Sequence, residues 1–282
     1  MKSLTLKSLI MILGSSSLLF SATADETKVI NFLKHSIKTG GDYVLKDVSV
    51  HTSSPLEKMP GWTTYFLKID LDIKSKQKTI SLTDMIFSNG VMVTKELYDL
   101  NTGKNIKEHL SPDVDPVLYD KQHLLEGTYT APNKLLVFSD PLCPFCIDFV
   151  PELIRFVKAN KEEFALFYYH RPLTQIHPAA IGLIKAMEAA KHKGIEDIVL
   201  KTYEEVFDLS LTDEKKILEA FNSALKTTIT LEEMNQPEII KALEYDISVA
   251  KTMLVNGTPT LFVNGKRDNT RMMHKKLLKE KK

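Results

Sequence analysis

The run Lys134-Leu135-Leu136-Val137-Phe138-Ser139-Asp140-Pro141-Leu142-Cys143-Pro144-Phe145-Cys146 decides how the second half of this chain is read. Lys134 to Ser139 is a continuous apolar run of the kind found in a central strand covered on both faces. Pro144 to Asn160 reads as a helix, so the two cysteines stand where a buried strand hands over to a helix N-terminus. There the unpaired backbone N–H groups and the positive end of the helix dipole stabilise a thiolate. Pro144 suits the first helical turn, where its missing N–H is not needed. Cys143, nearer the terminus, is expected to be the exposed, low-pKa nucleophile. Cys146, one turn further in, is expected to be the buried resolving thiol.

These are the only two cysteines among 282 residues. Two cysteines placed at random fall three apart in roughly one case in 140, so the spacing favours a purpose. Half of a zinc site would need two more ligands, and the chain offers neither a second CxxC nor a close His pair. A purely structural disulfide here would close a very small loop and stabilise little. Redox chemistry is the favoured reading, and no metal and no cofactor are called for. The composition is that of an ordinary globular protein, with 43% apolar and 26% charged residues, which excludes collagenous and largely disordered chains. Lys+Arg is 37 against Asp+Glu 36, so no basic excess points to nucleic acid.

Working outward, Ser8 to Phe20 is a short apolar stretch behind Lys2 and Lys7, and Ala22-Thr23-Ala24 has the small-x-small cleavage pattern. Residues 1–24 therefore read as a cleaved export signal, which places the mature protein in the periplasm. Asp25 to Lys38 has one apolar face and reads as a helix ended by Gly40-Gly41. Strand patterns follow at Tyr43 to Val50, Trp62 to Ile73, Ile80 to Phe87 and Val91 to Tyr98. In the second of these, Leu67, Ile69, Leu71 and Ile73 alternate with charged residues, giving one buried and one wet face. Asn89-Gly90 supports a hairpin turn between the last two. Residues 25–110 thus form a small helix-plus-antiparallel-sheet domain, α+β in class and cystatin-like in outline. A proline-punctuated linker covers 111–130, with one short helix expected at Val117 to Glu126. From residue 131 onward the order is strand, helix, strand at Phe164 to His170, and a long helical stretch about 178–254. A strand at Thr260 to Val263, a turn at Asn264-Gly265 and a basic tail helix complete the chain.

At Phe138 to Cys146 the sequence resembles the active-site strand and helix of the periplasmic Dsb proteins of the thioredoxin superfamily. It is most similar to the DsbG and DsbC disulfide isomerase branch, whose members also place an Asp ahead of the cysteines. Pro151 lies where thioredoxin-like proteins kink this helix, and Gly257-Thr258-Pro259-Thr260 resembles the family's cis-proline loop, which binds an extended substrate. The resemblance covers roughly 131–282. It implies a thioredoxin-like α/β fold with a helical insertion, a redox-active Cys143–Cys146 disulfide, and a substrate edge at Thr258 and Pro259. It further implies misoxidised or unfolded exported proteins as clients, a membrane redox partner of DsbD or DsbB type, and a homodimer formed through the N-terminal domain.

Three residues are candidates for tuning the pair: Asp140, Pro144 and Phe145. Phe145 stands where oxidase-type members carry His and DsbG-type members carry Tyr, and its ring cannot donate a hydrogen bond to a thiolate. A less oxidising pair is therefore expected, and Thr258 also resembles the isomerase branch. The expected activity is disulfide isomerisation or reduction. Tyr169-His170-Arg171-Pro172-Leu173 with His177-Pro178 instead resembles DsbA-like domains, which keeps a DsbA-like dithiol oxidase as the alternative. A chaperone holding unfolded clients is a second alternative, for which Phe145, Tyr168 and Tyr169 would be the exposed aromatic surface.

Overall fold

A computed structural model describes residues 24–37 and 40–280. The expected export signal lies outside the described residues save for Ala24. The chain begins with α1 (Ala24–Ser36), followed by the antiparallel strands β1 (Tyr43–Pro55), β2 (Thr63–Ile73), β3 (Lys78–Ser88) and β4 (Val93–Thr94), paired in that order. Val29 and Leu33 of α1 pack on Val48, Tyr65, Leu67 and Ile86. The alternation in β2 holds only in part, because its first half is covered on the opposite face as well. There Phe66, Met85 and Phe87 are buried against Trp62, Leu97, Ile106, Leu110 and Leu254. The fourth expected strand shrinks to two residues. Val91 is 91% exposed and Tyr98 makes only an isolated bridge to Asn105. With no further strand beyond it among the described residues, β4 has little to hold it.

The second sheet has five strands in the order β5 (Leu124–Gly127), β7 (Phe164–His170), β6 (Asn133–Ser139), β8 (Thr260–Val263) and β9 (Lys266–Arg267). β6 and β7 are parallel, joined by α2 (Pro144–Ala159), and the other pairings are antiparallel. The helical stretch resolves into α3 (Ala180–His192), α4 (Ile198–Glu204), α5 (Glu214–Leu225), α6 (Leu231–Met234) and α7 (Pro237–Thr252), and α8 (Met273–Glu280) ends the chain. β6 is doubly covered, as its composition requires. Leu135 and Val137 enter the cluster built with α2, α3, α4 and α5, while Leu136 and Phe138 enter the one built with α7. This is the thioredoxin-like arrangement expected for the second half, mixed α/β and preceded by a helix-plus-antiparallel-sheet domain.

The short helix expected at Val117 to Glu126 does not form. Pro116–Leu118 is a single 3₁₀ turn, and Leu124–Gly127 is a strand that pairs with β7. A short apolar run has too little periodicity to tell strand from helix, and the exposed edge of β7 settled it. Gly127 ends that strand at φ +83°, and a Cβ there would stand 2.0 Å from the Phe164 carbonyl oxygen and 2.9 Å from Val157 Cγ1. Gly127→Ala is therefore expected to destabilise the protein by roughly 3 kcal/mol, read as a lower urea midpoint with an unchanged slope. The two sheets meet through the end of α7. The Thr83 hydroxyl donates to the Lys251 carbonyl at 2.9 Å, Lys251 Nζ bonds the Ser81 carbonyl, and Leu254 enters the cluster around Phe66.

Candidate active site

Ser139 ends β6, and the next four residues make a turn that delivers Cys143 as the N-cap of α2. Asp140 builds that turn. Its side chain is fully buried; Oδ1 accepts the Leu142 N–H at 2.8 Å and Oδ2 accepts the Leu173 N–H at 2.7 Å. His177 Nδ1 lies 2.9 Å from the same Oδ2, and the Asp140 carbonyl accepts the Cys143 N–H at 3.1 Å. The Asp140 carboxylate thus ties the cysteine turn to the loop that enters the helical stretch. Its three donors come from that scaffold and none from a cysteine side chain. Pro144 occupies the first helical position and Pro151 lies inside α2.

Both cysteines are reduced and both are buried, Cys143 at 4% and Cys146 at 0% exposure. The exposed nucleophile expected from the sequence is thus corrected. The proline loop closes over Cys143, whose Sγ lies 3.4 Å from the Thr258 carbonyl oxygen. The Thr258–Pro259 bond is cis. Arg171, just beyond β7, anchors this loop by donating from Nε to the Val255 carbonyl at 3.1 Å. Of the three candidate tuning residues Asp140 is buried while Pro144 and Phe145 are exposed, Phe145 at 69% and as a bare aromatic ring.

The two thiols are driven apart electrostatically. A hydrogen bond from the Cys146 side chain lowers the Cys143 pKa to about 5; burial opposes this, and the N–H groups of Cys146 and Phe145 add to it. Burial pushes the Cys146 thiol up, and its bond to Cys143 adds to the rise. Alkylation of reduced protein by iodoacetamide is therefore expected to reach half its maximal rate near pH 5, with the midpoint moving upward in Cys146→Ala. A midpoint close to that of an ordinary thiol would refute this account.

A groove of about 430 Å³ runs beside the pair, lined by Phe145, the loop from Asn256 to Pro259, Arg267 and Arg271, and also by Glu108 and His109. The last two come from the segment after the first sheet, which the sequence offered no reason to place here. Tyr168 and Tyr169, expected as exposed aromatics, are 6% and 0% exposed. They lie on β7, which is covered on both faces, so alternate residues are all internal. His170 is also buried, with Nε2 3.0 Å from Glu188 Oε1. Burial is the largest single influence and works to raise the Glu188 pKa, but His170 and Lys191 together outweigh it and hold the carboxyl at about 2. Ser139, Tyr168 and Tyr203 form a buried hydroxyl cluster next to Cys146 that pattern reading missed. Tyr203 comes from α4, far along the chain, and carries no local signal. Among the described residues no cluster of His, Cys, Asp and Glu could hold a metal ion, and no helix is long and apolar enough to cross a membrane.

A protein-family model described as Thioredoxin matches residues 120–279. The Na(+)/H(+) antiporter NhaA 1 of Mycolicibacterium vanbaalenii is 30% identical over 154 residues, which make up 54% of this chain and 25% of the antiporter. The chain spans about a quarter of the length of the curated relatives it matches. Among solved structures, DsbA2 of Pseudomonas aeruginosa is 20% identical with a TM-score of 0.39, over 54% of this chain and 91% of that one. BdbD of Bacillus subtilis, in its oxidised form, is 16% identical with a TM-score of 0.47, over 61% of this chain and 95% of that one.

Proposed function

The chain belongs to the thioredoxin family over residues 120–279, and on that premise we propose that it is a thiol:disulfide interchange protein acting on disulfides of exported proteins. The observation that carries this reading is the hydrogen-bonded Cys143–Cys146 pair at the start of α2, with the Cys143 pKa lowered to about 5 beside an open groove. At neutral pH Cys143 is then almost entirely thiolate. It attacks one sulfur of a substrate disulfide, the substrate S–S bond breaks, and the departing sulfur takes up a proton. A mixed disulfide through Cys143 remains. If a second substrate thiolate attacks that bond, Cys143 returns as thiolate and the substrate is isomerised with no net change in oxidation state. If Cys146 attacks Cys143 instead, the substrate leaves reduced and the protein becomes the disulfide.

Isomerisation or reduction is the direction we favour, because the thiolate is ready in the reduced form and the Phe145 side chain adds no donor to that of its backbone N–H. It needs a DsbD-type electron source. The depressed Cys143 pKa also supports a second reading. Stabilising the thiolate stabilises the dithiol over the disulfide, which makes the disulfide form an oxidant that a DsbB-type partner would regenerate. Substrate would lie along the groove with its backbone at Thr258 and Pro259, and Phe145 would meet its apolar side chains. The N-terminal domain is proposed to pair two copies.

The deciding experiment incubates scrambled, fully oxidised ribonuclease with the protein in a glutathione buffer, with Cys143→Ser as control. Recovery of ribonuclease activity that the control lacks supports isomerisation. Absence of recovery, with fast oxidation of reduced ribonuclease, supports the oxidase. Absence of both activities would sink the interchange reading.

A further inference from the structure

Cys146 has to attack from a dry site. It is fully buried, and burial is the largest influence raising its pKa. An attacking thiolate there needs hydrogen-bond donors aimed at the sulfur, since water is not at hand. Three hydroxyls stand behind it. Cys146, Tyr168 and Tyr203 lie in one buried cluster, and the Ser139 hydroxyl beside them works to lower the Cys146 pKa. Ser139 Oγ lies 2.6 Å from the Tyr203 hydroxyl, which lies 2.8 Å from the Tyr168 hydroxyl. Ser139, Tyr168 and Tyr203 are 0%, 6% and 2% exposed, and they come from β6, β7 and α4. With one proton apiece, the three can all donate in one direction, Tyr168 to Tyr203, Tyr203 to Ser139, and Ser139 to the sulfur. Bonds aligned this way polarise one another, so the donor touching the sulfur is stronger than a lone serine.

We propose that the Tyr168–Tyr203–Ser139 hydroxyl chain donates into the Cys146 sulfur and so sets the rate at which Cys146 resolves the mixed disulfide. The inference rests on the interchange reading above. Ser139 touches a reacting atom; Tyr203 and Tyr168 act through it as positioning residues. Protons balance in the step: the one Cys146 gives up matches the one taken by the departing substrate thiolate, while the new Cys143–Cys146 bond replaces the mixed disulfide. The other groups around Cys146 are accounted for. Cys143, the N-cap of α2, and the Asp140 N–H bond it, and the Thr258 hydroxyl, buried with no hydrogen-bond partner among the described residues, also works to lower its pKa. The Asp140 carboxylate is engaged by Leu142, Leu173 and His177, and Glu188 on α3 is paired with His170.

Reduced protein mixed with a symmetrical aromatic disulfide tests the proposal, because each turnover releases two coloured thiolates. The first phase reports Cys143 attacking the probe, and the second reports Cys146 displacing the remaining half. Tyr203→Phe is expected to slow the second phase on the order of tenfold, the usual scale for a lost hydrogen bond to a charged group, and to move its pH profile upward. Ser139→Ala is expected to slow it further and Tyr168→Phe less, with the first phase keeping its rate. Tyr203→Phe removes one oxygen, and Ser139→Ala gives an independent reading if it fails to fold. A second phase unchanged in rate and pH profile overturns the proposal, as does equal slowing of both phases. No first phase in the unaltered protein would instead overturn the interchange reading itself.

Discussion

Cys143→Ser is expected to lower the rate of thiol exchange by at least about a thousandfold, whereas Cys146→Ser is expected to trap substrate on the protein. The asymmetry follows from the site. Only Cys143 has the lowered pKa, and it receives the donors at the start of α2. A serine hydroxyl there is neither ionised at neutral pH nor able to form the mixed disulfide. Cys146 is fully buried and never meets substrate directly. Its loss removes the internal exit from the mixed disulfide and leaves attack by an outside thiol as the only release. Non-reducing electrophoresis after incubation with a misoxidised client reads both outcomes, since Cys146→Ser should show a covalent adduct and Cys143→Ser none. Adduct formation by Cys143→Ser would reverse the assignment of the two roles.

Asp246→Ala is expected to cost about 3–5 kcal/mol of stability, the usual scale for leaving buried partners uncompensated. Asp246, on α7 and 3% exposed, ties that helix to β7 and to the segment that enters β5. Its Oδ1 lies 2.9 Å from His123 Nε2, and its Oδ2 accepts the His170 N–H at 2.9 Å. His123 Nδ1 lies 2.7 Å from Asp120 Oδ2, and the ring stacks on Tyr169 with centroids 3.9 Å apart. Burial works to lower the His123 pKa, but the two carboxylates outweigh it and raise the pKa above the ordinary 6.5. The sign follows directly. The folded protein holds this proton more tightly than the unfolded chain, so the stabilisation is complete below pH 6.5 and is lost as pH rises through the folded value. Urea midpoints of the unaltered protein should therefore fall as pH is raised above 6.5, with that slope much reduced in His123→Gln. His274 acts in the opposite sense. Burial among Phe149 and Phe156 lowers its pKa to about 4, so its contribution weakens as pH falls from 6.5 towards 4.

Local signals in the chain set much of the second half. The doubly covered strand β6, the helix beginning at Pro144, the strands at Phe164–His170 and Thr260–Val263, and the hairpin at Asn89-Gly90 all follow from hydrophobic run length, proline position and turn chemistry. Those signals act within a few residues, so no folded context was needed. The spacing of Cys143 and Cys146 belongs to the same class. The structure departs from local pattern where the outcome depends on what packs against what. Leu124–Gly127 became a strand because β7 offered an open edge. Tyr168 and Tyr169 went inside because helices cover both faces of the sheet. Cys143 lost its exposure to a loop 115 residues away in the chain. Asp140 found His177, and Ser139 found Tyr203, only because the helices after β7 fold back over the end of β6. The sequence by itself determined the strand–turn–helix that carries the two thiols. Only the tertiary structure decided which groups surround them, because burial and hydrogen-bond partners are properties of packed surfaces that no local pattern encodes.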